Sequence, residues 1–118
     1  MRMRAYVLAR ELMEGVREDA EKLHANPITE KVAPQLYASI GSIAANLAEG
    51  YSRSSGKDRA RIFEYALGSV REGMIWYHHG TAVIGAGAEK KIDTLEEIRR
   101  MLLAIIPRER GRGIKPKN

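Results

Sequence analysis

The sequence predicts an all-α fold, an antiparallel up-down-up-down four-helix bundle that self-associates. Three observations carry this. Apolar residues recur at spacings of three and four through four separate segments, and no run alternates with the period of a strand. The segments are separated by short breaks at Asn26-Pro27, Ser52–Gly56 and Gly85-Ala-Gly87, and helices joined by short loops pack antiparallel. Finally, no charged residue occurs between Lys31 and Glu49, whereas a helix on the surface of a soluble protein carries a charged face. A chain of 118 residues has few other elements with which to cover such a helix, so its small and polar faces are expected to be covered by other subunits.

The first helix is expected over roughly 3–25. Ala9, Leu12, Val16, Ala20 and Leu23 form one apolar stripe, with Arg10, Glu14, Arg17, Glu18 and Glu21 around it, and Asn26-Pro27 ends it. The second starts near Thr29, with Pro34 in the first turns, where a missing N–H costs least. Leu36, Ile40, Ile43 and Leu47 share one face. Ser39, Ser42, Asn46 and Glu49 make a polar stripe beside it, and Ala38, Gly41, Ala44, Ala45 and Ala48 fill the rest. Gly50 closes or bends this helix.

After the polar loop 52–56, Ser55 followed three residues later by Asp58 resembles a capping box. The third helix runs from about Lys57 into the low 80s. Phe63, Ala66, Leu67, Val70, Met74 and Tyr77 form its main stripe; Ile62, Tyr65, Ser69, Glu72 and Trp76 form a second, which suggests a second packing partner. Gly68 and Gly73 each cost about 1 kcal/mol relative to Ala inside a helix, a cost offset if they permit close helix approach. The fourth helix is expected from Ala88 to Ile106, with Ile92, Leu95, Ile98, Leu102 and Ile105 inward and Pro107 stopping it. Residues 1–107 thus form the bundle, and 108–118 a basic, mobile C-terminal tail.

Charge is unevenly placed. Residues 1–106 hold 15 Lys and Arg against 14 Asp and Glu, whereas 107–118 hold Arg108, Arg110, Arg112, Lys115 and Lys117 against Glu109 alone. A basic segment of this kind suits a polyanion such as RNA or DNA, or serves only to solubilise. The absence of cysteine excludes disulfides and thiolate chemistry. With no secretory leader apparent and the uncharged stretch 32–48 too polar and short for a membrane span, the expectation is a cytoplasmic protein without membrane association.

The candidate chemistries are thin. Glu21-Lys-Leu-His24 is the Glu-x-x-His unit of di-iron bundles, but such sites need a second copy, and His78 and His79 are preceded at that spacing by Ile75 and Trp76. A hydrolase would use Ser42 or Ser69 with Glu72 and a histidine, yet no strand-turn-helix elbow surrounds either serine. Gly85-Ala-Gly87 lacks the rest of a phosphate-binding loop. No enzyme, metal or cofactor is therefore expected. The polar stripe of Ser42, Asn46 and Glu49, with Ser69 and Glu72, reads as a network fixing helix register and subunit geometry.

These residues also carry a resemblance. Ser42-Ile43 with Asn46-Leu-Ala-Glu-Gly50, a Ser- and Lys-containing loop, then Ala66-Leu-Gly-Ser69 and Glu72, resembles the four-helix bundle family of 23S rRNA intervening-sequence proteins. The pattern there is Ser-Ile-x-x-Asn-Ile-Ala-Glu-Gly, then Ala-Leu-Gly-Ser-x-x-Glu; Leu47 is the one departure in the first part. The resemblance implies a ring-like homopentamer and an association with RNA or DNA. A related bundle, the accessory variability protein of diversity-generating retroelements, implies an alternative, in which a reverse transcriptase and its RNA are the partners. Ser42, Asn46, Glu49, Gly50, Gly68, Ser69 and Glu72 are assigned to structure and interface. Phosphate contact is assigned to Arg108, Arg110, Arg112, Lys115 and Lys117, with Arg53, Lys57, Arg59 and Arg61. A purely structural scaffold is the remaining alternative.

Overall fold

The computed structural model describes residues 3–112. Four helices account for most of them: α1, Arg4–His24; α2, Val32–Tyr51; α3, Gly56–Ile84; and α4, Gly87–Arg110. No strand occurs among the described residues. The helices form a four-helix bundle with extents of 54 × 20 × 20 Å. Each packs chiefly on two neighbours, α1 and α3 both lying against α2 and α4, with a thinner contact between α1 and α3 across the middle.

The apolar stripes account for the core. Leu12, Val16 and Leu23 of α1 are buried together with Leu36, Ile40, Ile43 and Leu47 of α2. Phe63, Ala66, Val70 and Tyr77 of α3 meet Leu95, Ile98 and Leu102 of α4 in the same cluster. The second stripe of α3 is divided: Ile62 and Ser69 are buried, Trp76 is half-buried, and Tyr65 and Glu72 face outward.

The breaks have local causes. The first is longer than expected, because 29–31 form turns and α2 begins at Val32. Thr29 is buried and its hydroxyl donates at 2.8 Å to the Leu23 carbonyl, which also accepts the Asn26 amide at 3.2 Å, so the turn is tied to the end of α1. Ser55 caps α3 by accepting from the Asp58 amide at 3.1 Å. Gly85 ends α3 at a φ of 93°, a conformation that suits glycine.

Two expectations need correction. Pro107 does not stop α4, which continues to Arg110. Proline removes one backbone donor and crowds the preceding turn. Here Ile106 is buried and the next turn is tied to α3 by the buried Glu109–Arg59 pair, which offsets that cost, with the exposed Arg110–Glu64 pair beside it. Within the subunit, moreover, Gly68 permits no close approach: a Cβ there meets nothing within 4 Å, whereas one on Gly73 falls 2.9 Å from Ile40 Cδ1.

Candidate nucleic-acid interface

The basic residues assigned to phosphate contact divide into three groups. Arg108 and Arg110 lie in the last turn of α4 and Arg112 in the turn after it. Lys115 and Lys117 lie outside the described residues. Arg53, Lys57, Arg59 and Arg61 belong to the α2–α3 connection and the first turns of α3, which pack against the end of α4. The chain therefore gathers these cations at one end of the bundle. The closest approach there is backbone against backbone, since a Cβ on Gly56 would run into the Glu109 carbonyl oxygen.

Arg59 is not a surface cation. Its side chain is 8% exposed and paired with Glu109, Nε to Oε1 at 2.7 Å, while Nη1 donates to the Arg53 carbonyl at 2.9 Å. It lies on the apolar register of Phe63, Ala66 and Val70, which carries it inward despite its charge. Arg53, Lys57, Arg61, Arg108, Arg110 and Arg112 are exposed. Arg53 pairs with Glu49 at 2.8 Å, Arg61 with Asp58 at 3.7 Å, Arg112 with Glu109 at 3.6 Å, and Arg110 with Glu64. Exposed pairs of this kind contribute little stability and are readily exchanged for a phosphate. Lys57 and Arg108 have no carboxylate within ion-pair distance among the described residues.

Between these elements opens a cleft of about 580 Å³, lined by Arg53, Arg59, Arg108 and Arg112 together with Glu109, the exposed ring of Tyr51 and the side of Phe63. Its lining arginines come from the α2–α3 connection, α3 and the end of α4. A larger groove of about 820 Å³ lies towards the other end, between α1 and α2. There Arg17 and Lys31 alternate with Glu21 and Glu30, so it concentrates no single sign of charge. The Glu21 and His24 side chains are exposed along it. Among the described residues no three His, Cys, Asp or Glu side chains are grouped to hold a metal ion.

The polar stripe does not form a connected network inside the subunit. Ser42 donates to its own helix, to the Ala38 carbonyl at 2.9 Å, and Glu49 is engaged by Arg53. Asn46 is half-buried, Ser69 buried and Glu72 exposed, and no hydrogen bond between described residues joins any two of the five. Gly50 is a packing residue: a Cβ there would meet the Phe63 ring at 2.8 Å. Gly41 and Gly68 face open space. Beside Gly41, Tyr37, Ala38 and Ala45 are exposed, so the outer side of α2 is short of charge; beside Gly68, Tyr65 and Ile75 are exposed together with Glu64, Arg71 and Glu72.

One constellation escaped the sequence reading. Asp19 of α1 is 5% exposed, accepts the Tyr77 hydroxyl at 2.7 Å, and pairs with Lys91 of α4. The Lys91 ammonium also lies 5.6 Å from the centre of the Tyr77 ring. Gly15 makes room for it, since a Cβ would stand 3.0 Å from Lys91 Cε. Burial first, and then donation to Asp19, holds the Tyr77 hydroxyl well above the ordinary tyrosine range. The signal was present in the spacing, for Asp19 continues the series Leu12, Val16 and Leu23.

No helix among the described residues is long and apolar enough to cross a membrane. No curated protein and no solved structure matches the chain. A family model does match, over residues 1–104, and its description is 23S rRNA-intervening sequence protein.

Proposed function

The chain belongs to the 23S rRNA-intervening sequence protein family, and on that premise we propose that it is a non-catalytic, self-associating bundle that binds RNA or DNA through its basic end. The observation that carries this reading is the convergence of Arg53, Arg59, Arg108 and Arg112, from separate parts of the chain, on one cleft. The match ends at residue 104, so α3 supplies family-matched residues to this end and the end of α4 supplies residues beyond the match.

Self-association has its own support. Gly41 and Gly68 sit inside helices, where each costs about 1 kcal/mol relative to Ala, and neither is needed for packing within the subunit. A second subunit laid on the α2–α3 face would use both for close approach. It would also cover the uncharged side of α2. The contacts of Gly50 with Phe63 and of Gly73 with Ile40 support an up-down order for that helix pair. We take the assembly to be the ring-like homopentamer that the family resemblance implies. It would display the basic ends of several subunits to one strand and multiply a weak contact by effective concentration.

Binding would be mainly electrostatic. Six phosphate contacts on duplex DNA give a log–log salt slope of about −5, and single strands a shallower one. The test is titration of RNA and DNA at several salt concentrations, with the parent chain and with Arg108→Ala/Arg112→Ala. The variant should keep the parent's assembly and lose about one unit of slope for each phosphate contact removed. Absence of binding at low salt by the parent chain would leave the scaffold as the better reading, and binding that depends on an added reverse transcriptase would favour the retroelement role.

A further inference from the structure

The cleft at the basic end contains more than a cluster of surface charges. Arg59 is its most buried cation, and one of its nitrogens, Nη2, is fully buried with no hydrogen-bond partner among the described residues. The rest of the guanidinium is satisfied by Glu109 and the Arg53 carbonyl. A buried charged donor left unpaired is costly, and at the wall of a cleft an acceptor that enters can satisfy it once the side chains covering Nη2 move aside.

We propose that this cleft binds a phosphate monoester carried at the end of a nucleic-acid strand, with Arg59 as its innermost donor and Arg53, Arg108 and Arg112 at its rim. The proposal rests on the nucleic-acid reading above and names the group that this end of the bundle selects. Four arginines face a single lining carboxylate, Glu109, which is already shared between Arg59 and Arg112. Glu49 lies beyond the rim, on Arg53. The cleft thus retains an excess of positive charge.

A terminal phosphate carries a charge of about −1.5 to −2 near neutral pH and three acceptor oxygens, whereas a phosphodiester within a strand carries a single charge. A terminal group also has only one substituent, so it can enter a cleft that a continuous strand must cross. Planar guanidinium forks suit its oxygens. The volume of about 580 Å³ exceeds what a bare phosphate ion fills, and Tyr51, on the same cleft, presents a half-exposed ring on which the terminal base can stack.

The experiment compares one short single-stranded RNA in two forms, 5′-phosphorylated and 5′-hydroxyl, each titrated against the full chain at fixed ionic strength by fluorescence anisotropy. The phosphorylated form should bind about tenfold tighter, as expected for one charge-assisted contact. Inorganic phosphate should compete for that increment alone. Arg108→Ala, an exposed change that disturbs no ion pair, should weaken both strands through the loss of general phosphate contact and weaken the phosphorylated strand more, so that the preference narrows. Arg59→Lys keeps the charge opposite Glu109 and removes the free fork nitrogen, and should abolish the preference; if it fails to fold, Arg108→Ala decides.

Equal affinity for the two strands, unchanged in Arg108→Ala, would overturn this proposal and leave the nucleic-acid function standing. Failure of either strand to bind, with phosphate still raising the melting midpoint, would overturn both the nucleic-acid source and the proposed function.

Discussion

Asp19, Tyr77 and Lys91 form the most heavily buried polar contact between helices, and their energetics can be tested one atom at a time. Because the Tyr77 hydroxyl is held above its ordinary range, the folded chain keeps that proton at a pH where the unfolded chain releases it. Stability must therefore fall as pH rises above about 10, by about 1.4 kcal/mol per unit for this one group. Tyr77→Phe should remove that part of the alkaline slope in urea unfolding measured from pH 9 to 11; a parallel slope in parent and variant would dismiss the idea. Arg59 gives the second residue-scale test. Removing Glu109 leaves a buried guanidinium without its carboxylate, and breaking such a pair costs about 3–5 kcal/mol. Because the cleft beside it can admit water, Glu109→Ala should fall near the lower figure. A loss within the error of a surface substitution would show that the pair contributes nothing.

At the scale of elements, the glycines separate contacts inside the subunit from those proposed beyond it. Gly56→Ala should destabilise the subunit by about 1–3 kcal/mol or more, because the new methyl meets backbone, which cannot turn aside as a side chain can. Gly68→Leu should leave the subunit's helix content unchanged and break the proposed assembly, since no described atom of the subunit lies within 4 Å of a Cβ there. An intact oligomer with a raised melting midpoint would refute close approach at Gly68. Much of each element was legible in advance: Leu36, Ile40, Ile43 and Leu47 are buried as their spacing predicts, and Ser55 caps as its sequence suggests. What was not legible shares a physical cause. Asp19 and Arg59 stand at core positions by spacing but are surface residues by type, and their partners lie 50 to 72 residues away. Only tertiary proximity reveals the compensation. Pro107 misled for a related reason, because the pairs that carry α4 past it are made with α3.

For the whole molecule, light scattering at micromolar concentration should give about five times the 13.2 kDa chain mass, the multiple following from the proposed pentamer. A stable monomer would remove the argument from the uncharged face of α2, and a dimer or tetramer only the number five. A last consequence comes from the way α4 closes on the start of α3. Helix ends ordinarily fray independently, each turn exchanging its amide hydrogens on its own. Here the final turn of α4 supplies the carboxylate for Arg59 and a carboxylate partner for Arg110 sits on α3, while the Glu109 carbonyl rests against Gly56. Neither end can open without exposing the other. Amides near Arg59 and near Arg110 should therefore exchange with one shared opening free energy, and anything that seats in the intervening cleft should slow both together.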